Sequence, residues 1–332
     1  MNVRIASAAC ALPDEIESVD EVLERESVRV EQTLAPLTPL SRQRAMQGLG
    51  LCNLRVCRTT QLYDLALKAA SSALKRGGLE HRDLDLIIDF STFPGSYPQS
   101  LSFANRLCAE LGAEHAMQLS FKAGGCGALH TAIKTALGWM HVDENIRTVL
   151  LVTADMAPEG NRSLLPVTVQ GDGASAMLLS RDGMEGPLLL GTQALTLGHL
   201  HNAISVVQSE HGLELKADAL CIEHKVMPIY YLNFHRLTTK VLEAASLGVR
   251  DVSHFIYSNI SARDRDGFRR TVGLPEGGLP PTPMAELGHT FASDLIINYV
   301  YMQERGLIHP GELLLFASAG IGFTWGVTLA RA

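Results

Sequence analysis

No CxxC pair occurs among the six cysteines, which are scattered at positions 10, 52, 57, 108, 126 and 221. With no paired or Cys/His ligand spacing, neither a disulfide framework nor a zinc centre is expected, and a reducing compartment is. Positive charge is not in excess. The formal net charge of −7 argues against a general nucleic-acid or membrane-surface binder, while leaving local basic patches open. No apolar run approaches the ~18 residues that would span a bilayer. The first residues, MNVRIASAACALP, lack the charged start and long apolar core of a leader, so a first strand ending at Pro13 and a cytoplasmic protein are expected. What is present is 46% hydrophobic and 19% charged, the balance of a well-packed globular protein. At 332 residues the chain exceeds one ordinary core, which predicts two domains or two fused halves.

The stretch from Gln118 to His130, QLSFKAGGCGALH, organises the rest. A strand-like run through Met117, Leu119 and Phe121 collapses into Ala123-Gly124-Gly125. Cys126 follows, and a helical pattern opens through Ala128, Leu129, Ile133, Ala136 and Leu137. One thiol is thereby placed at a sharp strand-to-helix turn, where unsatisfied N–H groups and the helix dipole favour an anion. A sulfur held there fits an acyl-accepting nucleophile, and it equally fits a small buried residue in a tight crossing. Elsewhere, helical spacing over Tyr63–Arg76 closed by Gly77-Gly78, buried strands at Leu84–Phe90 and Arg147–Thr153, and Gly171-Asp172-Gly173-Ala174 inside an apolar run predict mostly parallel sheets covered by helices.

The second part of the chain repeats the first. The strand at His254–Tyr257 matches that at Leu86–Phe90, and ELLLFA at 312–317 matches RTVLLVT at 147–153. Glu286-Leu287-Gly288-His289-Thr290 leads into the helix Phe291–Met302 as the Cys126 elbow leads into its own. Landmarks at one common offset indicate an internal duplication, with halves at 1–180 and 181–332. Pseudo-symmetric packing would then bring Cys126 and His289 to equivalent helix starts facing one pocket.

AGGCGAL at the elbow, GDGASAMLL at 171–179 and SAGIGFTWGVTLARA at 318–332 together resemble the thiolase superfamily, in its ketosynthase III branch. The resemblance covers nearly the whole chain. It implies an α/β thiolase fold of five layers, αβαβα, a homodimer, and acyl transfer through a thioester on Cys126. It also implies an oxyanion hole made by the backbone amides of Cys126 and Ile321. Glycine is usual at the latter position, so Ile321 is expected to narrow the pocket.

Departures from the family pattern carry more information. Condensing members place a His just after the strand at Phe255–Tyr257 and an Asn where this chain reads GHTFASD. Here those positions are Ser258 and His289, so the donor pair for decarboxylative condensation is not intact. One imidazole near one sulfur suits acyl transfer to a hydroxyl or amine, with Asp294 as the nearest acidic group to orient the ring. This resembles the Cys–His–Asp acyltransferases of natural-product pathways. Capping or structural roles for His289 and Asp294 remain open at this stage, and His130, His199, His201 and His254 are read as packed or surface residues.

The family grips coenzyme A through a Trp and an Arg in the stretch aligned with Leu40–Leu51. This chain has no Trp there, and Gly48 stands at the Arg position. The expected donor is therefore a phosphopantetheine arm on an acidic carrier protein, with coenzyme A as the alternative and no permanently bound cofactor. Arg263, Arg265, Arg269 and Arg270 offer a docking patch, unless they form an ordinary solvated helix with Asp264 and Asp266. Two other readings stand beside acyl transfer to a small-molecule acceptor: a true condensing ketosynthase, and a non-catalytic thiolase-fold subunit.

Overall fold

A computed structural model describes residues 1–33, 46–92, 103–122, 124–158, 160–165, 167–181, 183–209 and 212–332. The loop read at Ala35–Leu40, the start of the Leu40–Leu51 stretch, the Pro94–Pro98 loop, Ser102 and Ala123 lie outside the described residues.

Nine strands form the central sheet: β1 (Val3–Ala11), β2 (Leu86–Asp89), β3 (Met117–Ser120), β4 (Thr148–Asp155), β5 (Gly173–Arg181), β6 (Leu188–Thr196), β7 (His254–Tyr257), β8 (Leu313–Gly320) and β9 (Thr324–Arg331). Their order is β7-β8-β9-β6-β1-β5-β4-β2-β3. The centre is thin, since β1 and β6 pair only at Arg4 and Leu188. On either side the pattern repeats. β1-β5 and β5-β4 are antiparallel and β4-β2 is parallel, as β6-β9 and β9-β8 are antiparallel and β8-β7 is parallel. The sheet is thus mixed and not mostly parallel: the strands after the GDGA segment and after Gly320 turn back beside their predecessors, which no crossover helix allows for.

The helices that matter are α1 (Val19–Thr33), α2 (Leu62–Gly77), α3 (Phe103–Leu111), α4 (Ala128–Val142), α5 (Met227–Ala244), α6 (Ala262–Thr271) and α7 (Asp294–Glu304). α2 shows why the sequence settles where it does. Leu62, Leu65, Ala66, Ala69, Ala70 and Ala73 fall on one buried stripe, and Gly78 at φ 63° ends the helix while the Leu79 amide returns to the Leu74 carbonyl. The small alanines let the helix lie close on β1, β4 and β5, where with α3 they form one core. α4 and α7 share a second core with strands of both halves. α5 and α6 cover the outer face of β7, β8 and β9. The succession is α2/α3, half-sheet, α4/α7, half-sheet, α5/α6, which makes five layers.

Helix α5 continues a five-residue π turn at Ile222–Val226. Its early turns and the hairpin of Ile204–Ser209 and Gly212–Ala217 roof the region in front of Cys126. Among the described residues no helix is long and apolar enough to cross a membrane.

Candidate active site

Two backbones touch at the elbow, and that contact explains its glycines. Gly125 has φ 51°, and a Cβ there would stand 2.8 Å from the Ile321 amide nitrogen. From the other side, a Cβ on Gly320 would fall 2.0 Å from the Gly124 carbonyl and 2.5 Å from the Cys126 nitrogen. The end of β8 is therefore laid directly on the turn into α4, with the Ile321 amide close against Gly125. Cys126 itself is buried.

His289 reaches the same place from the second half. Its amide donates to the Val169 carbonyl at 3.1 Å, and its carbonyl accepts from the Gly171 amide at 3.1 Å, so the GDGA segment grips it on both sides. Gly171 is required there because a Cβ would stand 2.1 Å from the Leu287 carbonyl. Asp172, just beyond, makes a bidentate pair with buried Arg162 at 2.6 and 2.8 Å, which anchors the grip. Phe291, two residues after the imidazole, is held at φ 53°, a conformation that costs a bulky residue about 1–3 kcal/mol and that dense surroundings must maintain.

The imidazole bridges sulfur and carboxylate. His289 Nε2 lies 3.1 Å from Cys126 Sγ, and Nδ1 lies 2.6 Å from Asp294 Oδ2. Asp294, at the first turn of α7, also accepts from the Asn259 amide at 2.6 Å and from the amide and hydroxyl of Thr290 at 2.8 and 2.7 Å. Four donors and the helix N-terminus hold it in one pose. Burial pulls the His289 pKa down, but the Asp294 carboxylate and the nearby Cys126 sulfur outweigh it and hold the ring well above its ordinary value. Asn298, one turn along α7, exchanges side-chain hydrogen bonds with Asn259 and donates to the Tyr257 carbonyl, so the segment after β7 is fixed too.

Cys126 and His289 open onto a cavity of about 440 Å³ with mostly apolar walls, among them Ile321 and Phe323. Asp264 and the exposed Arg263 also line it.

Several expectations from the sequence need correction. Ser258 is buried, its hydroxyl makes no hydrogen bond, and it does not line the cavity. Its neighbours Tyr257 and Asn259 are tied to Asn298 and Asp294. Of the four arginines read as a docking patch, Arg265 is buried and donates to the carbonyls of Tyr257 and Pro280. Arg269 bonds Asp266 and the Leu274 carbonyl, and Arg270 pairs with Asp266 at 3.2 Å, as in a solvated helix. Arg263 alone of the four reaches the cavity, its guanidinium lying over Gly48. His130 is fully buried between Thr328 and Ser318, and burial pushes its pKa down to about 3. His199 and His201 are exposed, and His254 pairs with Glu312. Sequence reasoning missed Thr290 and Asn259, although a hydroxyl residue directly after His289 was a readable signal. It also took Asp264 for a surface charge.

Mirrored half-sheets, a glycine-bound Cys elbow and a His at the matching elbow define a thiolase-fold protein. Residues 242–332 match the family described as 3-oxoacyl-[acyl-carrier-protein] synthase III, C terminal. The chain is 27% identical over 271 residues to the beta-ketoacyl-[acyl-carrier-protein] synthase III of Geobacillus kaustophilus, covering 81% of this chain and 82% of that one. Among solved structures it superposes on the Aquifex aeolicus 3-oxoacyl-[acyl-carrier-protein] synthase III with a TM-score of 0.83 at 20% identity, covering 99% and 100% of the two chains. It superposes on the acyltransferase ChlB3 with a TM-score of 0.84 at 21% identity, covering 100% and 98%. The chain thus has the fold of these synthase III-type structures, and its C-terminal stretch matches their family.

Proposed function

We propose that this protein is an acyltransferase that moves an acyl group from a carrier-protein or coenzyme A thioester, through Cys126, to a hydroxyl or amine of a small molecule in secondary metabolism. The observation that carries the reading is the Cys126–His289–Asp294 line, at 3.1 and 2.6 Å, with Ser258 off the cavity wall. In loading, Cys126 Sγ attacks the donor carbonyl, the donor C–S bond breaks, and the leaving thiolate takes the His289 proton. In transfer, the acceptor oxygen or nitrogen attacks the acyl carbon and gives its proton to His289 Nε2, while the bond to Cys126 breaks. The amides of Cys126 and Ile321 hold the oxyanion in both steps. Asp294 keeps the ring's Nδ1 protonated and its Nε2 turned to the sulfur.

Arg263 on the cavity wall supports an anionic donor, either a phosphopantetheine arm or coenzyme A. A homodimer is part of the proposal: among the described residues β3 ends the sheet with an unpaired edge, and Trp139 and Val142 of α4 are exposed. The relatives' printed activity favours a second reading, decarboxylative condensation. Parallel assays separate the two. Carbon dioxide release from a malonyl thioester is followed beside ester and amide formation from acyl-coenzyme A with alcohols and amines. Acyl transfer without carbon dioxide release is expected, and malonyl-dependent chain extension by the wild type overturns the proposal.

A further inference from the structure

Asp264 is a carboxyl in the wall of an otherwise apolar cavity, and nothing in the acyl-transfer steps above uses it. It is the third residue of α6 after the cap Ser261, whose hydroxyl accepts the Asp264 amide at 3.2 Å. An acid at that position ordinarily reaches back to the cap's own amide. Here the carboxyl instead accepts from the Tyr231 hydroxyl at 3.1 Å, the Tyr257 hydroxyl stands near enough to pull on it as well, and Oδ2 is buried with no hydrogen bond among the described residues. No basic side chain of the described residues lies within 4 Å of it. Arg265, the next residue, is committed to two carbonyls. Burial raises the carboxyl to about 6, against the pull of the Tyr257 and Tyr231 hydroxyls and of the His289 and Arg265 charges. A carboxylate left this short of partners in an apolar wall is a costly arrangement unless something completes it.

The surroundings say what would complete it. Tyr230 and Tyr231 line the same cavity, with ring centroids 5.1 Å apart and edge to face, and ring faces of this kind attract a cation. Glu223, the other acid on the wall, adds charge of the same sign. Among the described residues the basic side chains on the wall are His289, engaged with Cys126 and Asp294, and Arg263, which is exposed and lies over Gly48.

We propose that the acceptor of the acyl group carries a positively charged amine, and that Asp264, flanked by Tyr230 and Tyr231, is its counter-ion. This rests on the acyl-transfer reading. The charged nitrogen does not react: a separate hydroxyl of the acceptor attacks the thioester and yields its proton to His289, the new C–O bond forming as the bond to Cys126 breaks.

Choline and 3,3-dimethylbutan-1-ol test this directly, because they share one shape and one reactive hydroxyl and differ in a quaternary nitrogen against a quaternary carbon. Wild type and Asp264→Asn are loaded with acetyl- or butyryl-coenzyme A, and discharge of the Cys126 adduct by each alcohol is followed by intact mass. The wild type is expected to prefer choline by about tenfold, with the preference falling to near unity in the variant. Equal discharge by both alcohols in the wild type, or a preference that survives Asp264→Asn, overturns the proposal. A readout needing no variant accompanies it: choline raises the melting temperature of the unmodified wild type and the neutral alcohol does not, and the reverse or equal shifts count against the counter-ion. An enzyme that forms no adduct at all sinks the acyl-transfer reading first. An enzyme discharged without regard to charge sinks only the present proposal.

Discussion

His289 Nε2 stands 3.1 Å from Cys126 Sγ, although the two residues are 163 positions apart in the chain. The two halves of the sheet make that contact unavoidable. α4 and α7 lie in one layer between the half-sheets, and the turns leading into them, which carry Cys126 and His289, meet there. A thiol on one turn and an imidazole on the other then need only Asp294, one turn further on, to make a directional proton relay.

Asp294→Asn tests that relay. The amide presents N–H groups where Asp294 accepts from Asn259, Thr290 and His289, so one donor loses its partner at about 1–3 kcal/mol and the imidazole is held in the wrong tautomer. Discharge of the acyl-enzyme is expected to fall about 10²–10⁴-fold. Because the Asp294 charge helps hold the His289 pKa high, the rising limb of the pH–rate profile moves to lower pH in the variant. A full-rate variant with an unmoved limb would show that Asp294 only caps α7.

Gly171→Ala tests the grip on His289 from outside the site. The new methyl would stand 2.1 Å from the Leu287 carbonyl, and backbone rather than a flexible side chain has to move. A stability loss of about 1–3 kcal/mol, with a drop in acyl transfer larger than the loss of folded protein explains, is expected from denaturation midpoints and single-turnover rates. Retained transfer in a destabilised variant would show that the imidazole is positioned by Asp294 alone.

Asp264 gives a pH-dependent stability with a definite sign. Its carboxyl holds a proton to about pH 6 in the folded protein, against roughly 3.9 unfolded. The folded state therefore binds more protons between those values, and stability from this group is present at low pH and lost as pH rises through the window. Asp264→Asn removes the dependence. Relative to the wild type, the variant is expected to gain about 2–3 kcal/mol between pH 4 and pH 7.5 in urea denaturation, and a constant difference across that range would contradict the burial cost.

Much of this was legible before any coordinates. The Cys126 elbow, the equivalence of the two halves and the His289–Asp294 spacing all follow from local pattern, because a strand that collapses into glycines ahead of a helical stripe leaves few other ways to fold. Ser258 lies buried, unbonded and off the cavity wall, and nothing local in IYSNIS announces that, because the Asn259–Asn298 pair that fixes this segment joins residues far apart in the chain. Arg265 and Asp264 went wrong together. In the run ARDRDGFRR charges alternate, and nothing local says that one arginine is turned to two buried carbonyls or that one aspartate faces a cavity. That cavity's roof, the hairpin at 204–217 and the first turns of α5, lies far from the elbow in the chain and carries no motif of its own.

The central claim is that Cys126 holds the acyl group and His289 lets it go. Intact mass of the wild type, Cys126→Ala and His289→Ala after mixing with acetyl-coenzyme A, with peptide mapping of any adduct, tests it most directly. The account predicts one acyl adduct on Cys126 in the wild type, none in Cys126→Ala, and in His289→Ala an adduct that forms slowly and is not discharged by added alcohols or amines. An unmodified wild type, or an adduct mapped to a residue other than Cys126, would contradict it.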